Sequence, residues 1–527
     1  MPAPAFFAQF GFTEDPLEST NAESEPLLND YFVPPPYFPT LLGNPARPQS
    51  HIILAPRGGG KTAQRRMIET QSETDNFLCV TYDASEQPPG TSLTSATWAF
   101  HIRLVAQRLL VALLLAIEED RFQVDLLSVH QRHVLRASVD AFLGPLSEQE
   151  FHSAVSAVKT FGQRASDFWR TYAGPISAAI QVLMNKAGLG NLQVPQQLND
   201  ASRRDDQLRY YFEQLLQISH TLGFSSTYFL VDKVDESSAT EGNAAATFDY
   251  IRAILTDLPT LETPHACFKF FLWDRIEDLY RENGGRPDRV PILVLHWTVS
   301  ELATMLERRL AAYSAGRITS LNQLLEPNSE VDFHRLSAYL GNGSPRDMIR
   351  FAKTVTNEAT KRTVPLTITS GNIWVAVISF SAARAQELSP GYLSDLRKIG
   401  VPSFTINYLA NDVFHISVQA ARNKIQNWVN AGIVQRIGQL PNPGNRPMHL
   451  YALADLRLAV AASTGTDVQL VLDNYTVECP NCKMLVITAE LRATCPDCST
   501  PFSLTEAKSL LRLCSRSDDH LLPDVQR

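Results

Sequence analysis

The chain has 527 residues, a formal net charge of −8 and 44% hydrophobic residues. Its length predicts about three or four domains, and its apolar content is that of a globular protein with several buried cores. The negative charge argues against a protein that binds nucleic acid through bulk charge, although a local basic face remains compatible with it.

Cysteine usage and apolar runs predict the compartment. Four of the seven cysteines stand together near the end of the chain, which is not the pattern of a disulfide framework. The most apolar run, Leu109–Ile117, covers about nine residues, whereas a membrane span needs about 20. No charged-then-apolar signal peptide opens the chain. We therefore expect a cytoplasmic protein in a reducing setting, with a buried helix at this run and no membrane partner.

Residues 1–48 are rich in proline, asparagine and glutamate and predict an irregular N-terminal arm. Within the arm, Tyr31–Phe38 is a cluster of aromatic residues and prolines. Its plainer interpretation is an extended segment packed on the next domain. The other interpretation is a lid over a nucleotide base, because aromatic and apolar side chains suit the face of a purine.

Residues 49–298 alternate strand-like and helical patterns, which predicts a parallel sheet with helices on both faces. Between the second and third strands, a mainly helical stretch at about 92–222 is too long for one crossover helix and predicts a helical insertion. The predicted strands are His51–Leu54, Phe77–Tyr82, Thr227–Asp232, Phe268–Trp273 and Pro291–His296.

The last third of the chain changes character twice. A helical pattern follows the last strand, and it predicts a lid at 299–394. Val418–Ala431 then predicts an amphipathic helix, and Ile433–Ile437 can pair with His449–Leu453 as two strands. A helix followed by a two-stranded ribbon is typical of a winged helix, which we place at 395–460. Residues 461–527 are left for the cysteine-rich segment and a C-terminal helix.

Ala55–Thr62 matches the phosphate-loop pattern G-x-x-x-x-G-K-[ST] between a strand and a helix. Glycines let backbone N–H groups face the phosphates of ATP. We expect Lys61 to reach the β- and γ-phosphates and the hydroxyl of Thr62 to bind Mg²⁺. Ala55 stands where the pattern has glycine, which predicts a small conformational cost. A chance Gly-Lys-Thr in a turn is the alternative. The predicted ATP-binding residues are Pro56, Arg57, Gly58, Gly59, Gly60, Lys61, Thr62, Ala63 and Asp232.

Hydrolysis also needs carboxylates, one for Mg²⁺ and one to activate water. Asp232 ends an apolar strand and is the candidate for Mg²⁺; a helix cap or turn residue is the alternative. Glu236 or Asp235 is the candidate that polarises the attacking water, and the sequence leaves that choice open.

These motifs resemble the additional-strand P-loop ATPases, which include AAA+ proteins, origin-recognition-like ATPases and the STAND-type switch ATPases of the NACHT and KAP kind. The resemblance covers about residues 30–460 and leaves the insertion unexplained. The spacing Asp232-x-x-Asp235-Glu236 is more similar to the switch branch. The resemblance implies an α/β fold with strand order 5-1-4-3-2, a helical lid and a winged helix.

The resemblance also implies residues that sense the nucleotide. Arg275, after the strand Phe268–Trp273, looks like part of the first sensor, and Arg346 in Gly343-Ser-Pro-Arg looks like the second. Arg275 as a surface residue at a helix start, and Arg346 paired with Asp347, are the alternatives. Arginine-finger candidates that could act in trans, or lie in a solvated loop, are Arg281, Arg286 and Arg289.

Two C-x-x-C pairs near the end of the chain predict a zinc ribbon. Four thiolates suit tetrahedral Zn²⁺, and so small a segment folds poorly without a metal. A redox dithiol pair is the alternative, but the βαβ unit that would carry it is missing from the pattern. The predicted ligands are Cys479, Cys482, Cys495 and Cys498.

A winged helix with a zinc ribbon raises the possibility of DNA or RNA binding. Acidic residues are nearly as numerous as basic ones over 395–527, however, so that no basic stripe stands out. The candidate contact residues are Arg422, Asn423, Lys424, Gln426 and Asn427 on the helix, and Arg436 and Arg446 on the wing.

Three functions fit the sequence. The first is an ATP-driven switch or remodelling ATPase with a protein partner or a homo-oligomer, in a bacterial defence or signalling system by family analogy alone. The second is an ATP-regulated DNA-binding initiator or regulator. The third is a scaffold that has lost ATPase activity, which the presence of all the acidic candidates argues against.

Overall fold

The computed structural model describes residues 3–516 except 73, 87–91, 119–123, 145, 157–175, 197, 199–206, 241, 362–366, 390, 442–445, 464–466 and 489. The chain forms two compact units. One unit is Pro34–His296, called the sheet unit below. The other joins Met1–Val33 to Trp297–Arg527 and is called the helical unit. The predicted arm 1–48 is thus divided between them.

The sheet unit is built on five parallel strands in the order β2-β3-β4-β1-β5. This is the predicted order 5-1-4-3-2, and the prediction of an α/β P-loop ATPase core is confirmed. Parallel strands that are covered by helices on both faces have continuously apolar sequences, and β1 is buried throughout. The strands are β1 His51–Ala55, β2 Leu78–Asp83, β3 Thr227–Asp232, β4 Ala266–Trp273 and β5 Ile292–Val294.

The sheet order decides which loops meet. In a parallel sheet the residues after neighbouring strands lie along one edge, where ligands bind. Strand β1 lies beside β4, which lies beside β3. The segments that follow these three strands therefore share one edge of the sheet.

Helices surround the sheet, and one of them is strongly apolar. Trp98–Glu118 has 21 residues and contains the predicted buried run, which packs in the core of this unit. By length and composition alone Trp98–Ile117 could cross a membrane, but 78% of it is buried inside the protein. Among described residues, the α-helices of the unit are Phe38–Leu42, Lys61–Ser72, Trp98–Glu118, Val129–Ser138, Glu148–Ser156, Ile176–Lys186, Leu208–Thr221, Ala244–Leu255, Leu258–Leu261 and Glu277–Glu282.

The N-terminal segment belongs to the helical unit through a buried ion pair. Arg309, on the helix Val299–Tyr313, donates from Nη2 to Oε2 of Glu25 at 2.8 Å, and the exposed fractions are 2% and 1%. Arg309 also donates to the carbonyls of Pro16 and Ser19. A buried pair is tolerated when such additional hydrogen bonds satisfy its charges. The pair fastens the start of the chain to residues nearly three hundred positions later.

The aromatic–proline cluster is split in the same way. In the helical unit, the guanidinium of Arg309 lies 4.9 Å from the ring centroid of Tyr31. Tyr37 and Phe38 pack against Leu41 and Ile53 in the sheet unit. The residues of the cluster are therefore divided between the two units, and a role as a lid over a base stays a hypothesis.

A small antiparallel sheet lies in the helical unit, in the order β6-β8-β7. The predicted helix before it is Val418–Asn430, and the predicted pairing of β7 with β8 is confirmed. The turn between these two strands includes 442–445, which lie outside the described residues. The strands are β6 Ser403–Thr405, β7 Val434–Leu440 and β8 Met448–Leu453.

The cysteine-rich segment forms two further antiparallel pairs, β9 with β10 and β11 with β12. Their apolar side chains share one core with β7 and β8, because Ile437 and Leu450 pack together with Val486 and Phe502. The predicted boundary at 460/461 therefore crosses a common core. The strands are β9 Thr476–Glu478, β10 Leu485–Ile487, β11 Arg492–Thr494 and β12 Pro501–Ser503.

The other elements of the helical unit are helices. Among described residues the α-helices are Ala3–Ala8, Leu28–Tyr31, Val299–Tyr313, Phe333–Gly341, Pro345–Thr360, Ser370–Leu388, Leu393–Ile399, Ile406–Tyr408, Val418–Asn430, Leu456–Ala462, Val468–Asn474 and Leu510–Leu513.

Because two of its histidines are buried, we predict that the sheet unit loses stability in mild acid. Burial lowers the pKa of His51 and of His101 from 6.5 to about 4. The folded protein favours the neutral rings, so their stabilisation is complete above pH 6.5 and is lost as the pH falls towards 4. The unfolding temperature from scanning calorimetry should fall across this window. His101→Gln should make the fall shallower; parallel pH profiles for variant and wild type would contradict this.

Candidate functional site

The predicted phosphate loop lies between the end of β1 and the start of the helix Lys61–Ser72. Gly58 and Gly60 have φ angles of 77° and 99°, in the left-handed region that favours glycine. Ala55, by contrast, is the last residue of β1 and pairs with Trp273 of β4. An extended strand residue needs no glycine, which explains why the pattern tolerates alanine there.

Lys61 lies at the centre of the acidic residues that the sequence singled out. Its Nζ donates to the carbonyls of Ala55 and Pro56 at 3.0 and 3.1 Å. Burial lowers the pKa of Lys61, and nearby carboxylates act in the opposite direction. These carboxylates belong to Asp235, Asp232, Asp274 and Glu236. The structure thus brings the loop and the acidic candidates to one place.

The carboxylate of Asp232 joins the helix after the phosphate loop to the turn after β3. Its Oδ2 accepts from Oγ1 of Thr62 and from Nε of Arg65, both at 3.0 Å. Its Oδ1 accepts from the backbone N–H of Lys233 at 2.9 Å. Mg²⁺ prefers oxygen ligands and keeps several waters. A hydroxyl and a carboxylate within hydrogen-bond distance of one another fit the predicted roles of Thr62 and Asp232.

Arg65 is a functional candidate that the sequence reasoning missed. Its side chain is only 1% exposed, and its Nη1 donates to Glu69 one turn along the helix. Glu69 in turn accepts from Oγ1 of Thr81 on β2 at 2.5 Å. The i,i+4 spacing of arginine and glutamate on the first helix after the loop was the available signal. The arginine therefore lies between two buried carboxylates and supports Asp232.

Asp235 and Glu236 have different surroundings. Asp235 is 4% exposed, and its Oδ2 accepts from Nε of Arg57 at 2.8 Å. Glu236 ends the 3₁₀ turn Val234–Glu236 and is exposed. The buried carboxylate thus forms an ion pair with the phosphate loop, whereas its neighbour is open to water.

The first-sensor candidate stacks on an aromatic ring. At the tip of β4, Trp273 carries two guanidinium groups, that of Arg57 at 4.7 Å and that of Arg275 at 5.2 Å from the ring centroid. Arg275 is itself exposed. Asp274, the next residue after the strand, is one of the carboxylates that act to raise the pKa of Lys61. A sensing role for Arg275 stays a hypothesis.

Arg346 belongs to the helical unit, where it is exposed in the first turn of the helix Pro345–Thr360. The alternative prediction paired Arg346 with Asp347, but Asp347 pairs with other arginines. Asp347 accepts from Nη1 of Arg457 at 2.6 Å and pairs with Arg384 at 2.9 Å. The residue next to the second-sensor candidate is therefore tied to two other helices.

The arginine-finger candidates are all paired within the sheet unit. Arg281 pairs with Glu277 at 2.7 Å on the same helix. Arg289 pairs with Glu262 at 2.6 Å. Arg286 pairs with Asp288 at 2.7 Å, with both side chains at least half exposed. Exposed pairs of this kind are weak, and a role of these arginines in trans stays a hypothesis.

The four cysteines of the C-terminal segment converge. Their sulfur atoms all lie within 4.8 Å of one another. Sγ of Cys479 is 3.7 Å from that of Cys498, and Sγ of Cys482 is 3.5 Å from that of Cys495. These distances are too long for disulfides. Tetrahedral Zn²⁺ with Zn–S bonds of ~2.3 Å places its sulfurs ~3.8 Å apart, so the cluster fits the predicted metal.

The two C-x-x-C turns have the same backbone geometry. The N–H of Cys479 donates to the carbonyl five residues on, and so does that of Cys495. The residue after each second cysteine, Lys483 or Ser499, has a positive φ and donates back to the first cysteine. Two matched turns that face one another present four sulfurs to one point.

Several predicted nucleic-acid contacts on the helix Val418–Asn430 are already engaged. Lys424 pairs with Asp395. Asn423 accepts from Gln419 at 3.1 Å, and Gln426 donates to Asn430 at 2.8 Å. Arg422 and Asn427 are exposed on the helix, and Arg436 is exposed on β7.

Replacement of Arg65 should destabilise the sheet unit. Arg65→Met leaves the buried carboxylates of Asp232 and Glu69 without their cation, which costs about 3 kcal/mol or more. Scanning calorimetry of the full chain would show a lower unfolding temperature for this unit. The matched control is Arg66→Met at the neighbouring, half-buried position, for which we expect a change below about 1 kcal/mol. Equal effects of the two variants would contradict the proposed support.

No known protein family and no curated protein matches the sequence. Among solved structures, the chain is similar to the Orc1 protein of Aeropyrum pernix in complex with DNA, with 13% identity over 86% of this chain and 97% of that chain and a TM-score of 0.34. It is similar to Cdc6p from Pyrobaculum aerophilum, with 10% identity over 85% and 96% of the two chains and a TM-score of 0.33. For the Aeropyrum pernix ORC2 protein in ADPNP–ADP complexes the identity is 12%, over 84% and 98%, with a TM-score of 0.29. Because these likenesses are weak, the fold assignment rests on the strand order and the phosphate loop.

Proposed function

We propose that the protein is a Mg²⁺-dependent ATPase that acts as a nucleotide-dependent switch. One observation carries this proposal: the hydroxyl of Thr62 lies 3.0 Å from the carboxylate of Asp232, beside the glycine loop that holds Lys61. A hydroxyl at the start of a helix, a carboxylate at a strand tip and a loop lysine are the parts that phosphoryl transfer from ATP requires.

Binding would use the backbone as much as the side chains. The N–H groups of residues 58–62 and the positive end of the helix Lys61–Ser72 favour phosphate oxygens. Lys61 would exchange its bonds to the loop carbonyls for the β- and γ-phosphates. Thr62 and Asp232 would hold Mg²⁺, which when bound neutralises charge that develops on the phosphate oxygens.

Glu236 is the better candidate for activating water. A general base must have a carboxylate that a water molecule can reach. Asp235 is buried and paired with Arg57, whereas Glu236 is exposed on the same turn. We therefore assign the attacking water to Glu236 and the support of the turn to Asp235.

The switch would be read out in the helical unit. Arg346, by its resemblance to a second sensor, would respond to the nucleotide. Its neighbour Asp347 is bonded to Arg457 and Arg384, so that a change at Arg346 would reach the small antiparallel sheet through packed helices. A protein partner or further copies of the chain would bind the part of the helical unit that responds to the nucleotide. A place in bacterial defence or signalling rests on family analogy alone.

An ATP-regulated DNA-binding function is the second candidate. The arrangement of the helix Val418–Asn430 before β7 and β8 supports it as a winged helix, and exposed Arg422 and Arg436 could contact phosphates. The engaged side chains of Asn423 and Lys424 weaken it. Salt-dependent gel shifts with and without ATP would separate the two functions, because a nucleic-acid ligand loses affinity steeply with salt.

ATP hydrolysis should depend on the loop and on Glu236. Lys61→Ala removes the phosphate-facing cation and should abolish activity. Glu236→Gln should lower kcat by about a hundredfold or more, because it removes the base and keeps the shape. Asp235→Asn should cost less. The measurement is phosphate release alone, with DNA and with RNA, alongside the mass of the assembly. The proposal is falsified if the wild-type protein binds no ATP in the presence of Mg²⁺.

The cysteine cluster should hold about one Zn²⁺ per chain in a structural role, because all four ligand positions are filled by protein. Cys495→Ser should lose the metal and lower the unfolding temperature, since the cysteines share a core with β7 and β8. Elemental analysis by mass spectrometry and calorimetry provide the measurements. Cys514→Ala, outside the cluster, is the control and should retain zinc. A metal-free wild type purified without chelators would rule the site out.

A further inference from the structure

Arg57, at one of the variable positions of the phosphate-loop pattern, has a side chain that is 46% exposed and lies in an open slot made by two other segments of the sheet unit. Its guanidinium lies over the ring of Trp273 at the tip of β4, 4.7 Å from the centroid. Its Nε donates to the carboxylate of Asp235 at 2.8 Å, and its Nη2 donates to the backbone carbonyl of the same residue at 3.0 Å. One side chain thus connects the loops that follow β1, β3 and β4.

The chain at Gly242 comes close to the guanidinium of Arg57. A Cβ at Gly242 would lie 2.6 Å from Nη2 and 3.0 Å from Nη1 of Arg57. Its φ of 70° is also in the left-handed region. A side chain at this position would therefore have to displace the guanidinium.

The chemistry of the contact requires arginine. A planar guanidinium can donate in two directions at once and stack on an indole ring, whereas an ammonium group is a single point charge. Asp235 is almost fully buried, so its carboxylate needs a cation that stays fixed. The fork of Arg57 satisfies the side chain and the backbone of Asp235 together, and this holds the whole turn rather than one atom.

We propose that Arg57 is a positioning residue of the ATPase, which holds Asp235 and thereby presents Glu236 to the water at the phosphate loop. The inference rests on the proposed function. Arg57 precedes Gly58 of the loop, and Asp235 precedes Glu236. The fork therefore joins the residues just before the phosphate-facing backbone and just before the base. Asp235 acts as the partner of Arg57 and not as a second base.

A double-mutant cycle on the full chain tests the assignment. Arg57→Ala, Asp235→Asn and the double variant should each lower kcat by roughly tenfold with little change in KM for ATP, because they break one shared interaction. Arg57→Lys should recover only part of the loss. Glu236→Gln should be far more severe. The assignment is overturned if Asp235→Asn matches Glu236→Gln while Arg57→Ala keeps wild-type kcat, or if the single effects multiply.

Two glycines provide a matched control. Gly242→Ala forces the guanidinium to shift without removing its charge and should lower kcat, by no more than Arg57→Ala does. Gly284 has a φ of 90°, and a Cβ there would meet nothing within 4 Å. Gly284→Ala therefore imposes a comparable backbone strain away from Arg57 and should leave kcat unchanged. Equal losses in both variants would mean that strain, and not the slot, is responsible.

A measurement without nucleotide separates the failure of this inference from that of the proposed function. Amide hydrogen exchange over residues 233–240 should be faster in Arg57→Ala and in Gly242→Ala than in the wild type or Gly284→Ala. Faster exchange in Arg57→Ala, together with a wild-type chain that shows no ATPase activity, would keep the contact and refute the ATPase. Unchanged exchange in Arg57→Ala would refute the contact, whatever the activity.

Discussion

The carboxylate of Asp232 is the constraint on which the candidate site depends. It ends a fully buried strand, and its two oxygens accept from the phosphate-loop helix and from the turn that follows. A buried charge with these bonds holds the loop, helix and turn in one geometry. The lysine, the paired Asp235 and the exposed Glu236 are arranged around it. Without this anchor, the glycine loop would be a flexible turn at a sheet edge.

Much of this arrangement could be predicted because its signals are local. The phosphate loop is a contiguous pattern, and its flanking strand and helix follow from short apolar and helical runs. All five core strands lie where apolar runs predict them, although β5 is shorter than its run. The cysteine cluster could be predicted because two C-x-x-C turns repeat within a short segment. The strand order followed from the family resemblance and not from composition.

What the sequence could not show is which arginines pair with carboxylates that are distant along the chain. In the sequence alone, nothing distinguishes Arg65, Arg57 and Arg309 from ordinary surface arginines. Each is instead positioned by a carboxylate distant in sequence: Asp232, Asp235 or Glu25. Such pairs depend on tertiary approach, for which a single sequence carries no periodic signal. The same limitation made Lys424 look available for nucleic acid, although it pairs with Asp395.

The buried pair of Glu25 and Arg309 has a practical consequence for dissecting the protein. A boundary at 48/49 invites removal of the N-terminal arm, but the cut would leave a guanidinium at 2% exposure without its carboxylate. Both ends of the chain contribute to one unit, and the sheet unit is an insertion within it. The natural pieces are therefore discontinuous in sequence. The sheet unit corresponds to one continuous stretch of sequence, whereas a piece that corresponds to the helical unit has to join two stretches.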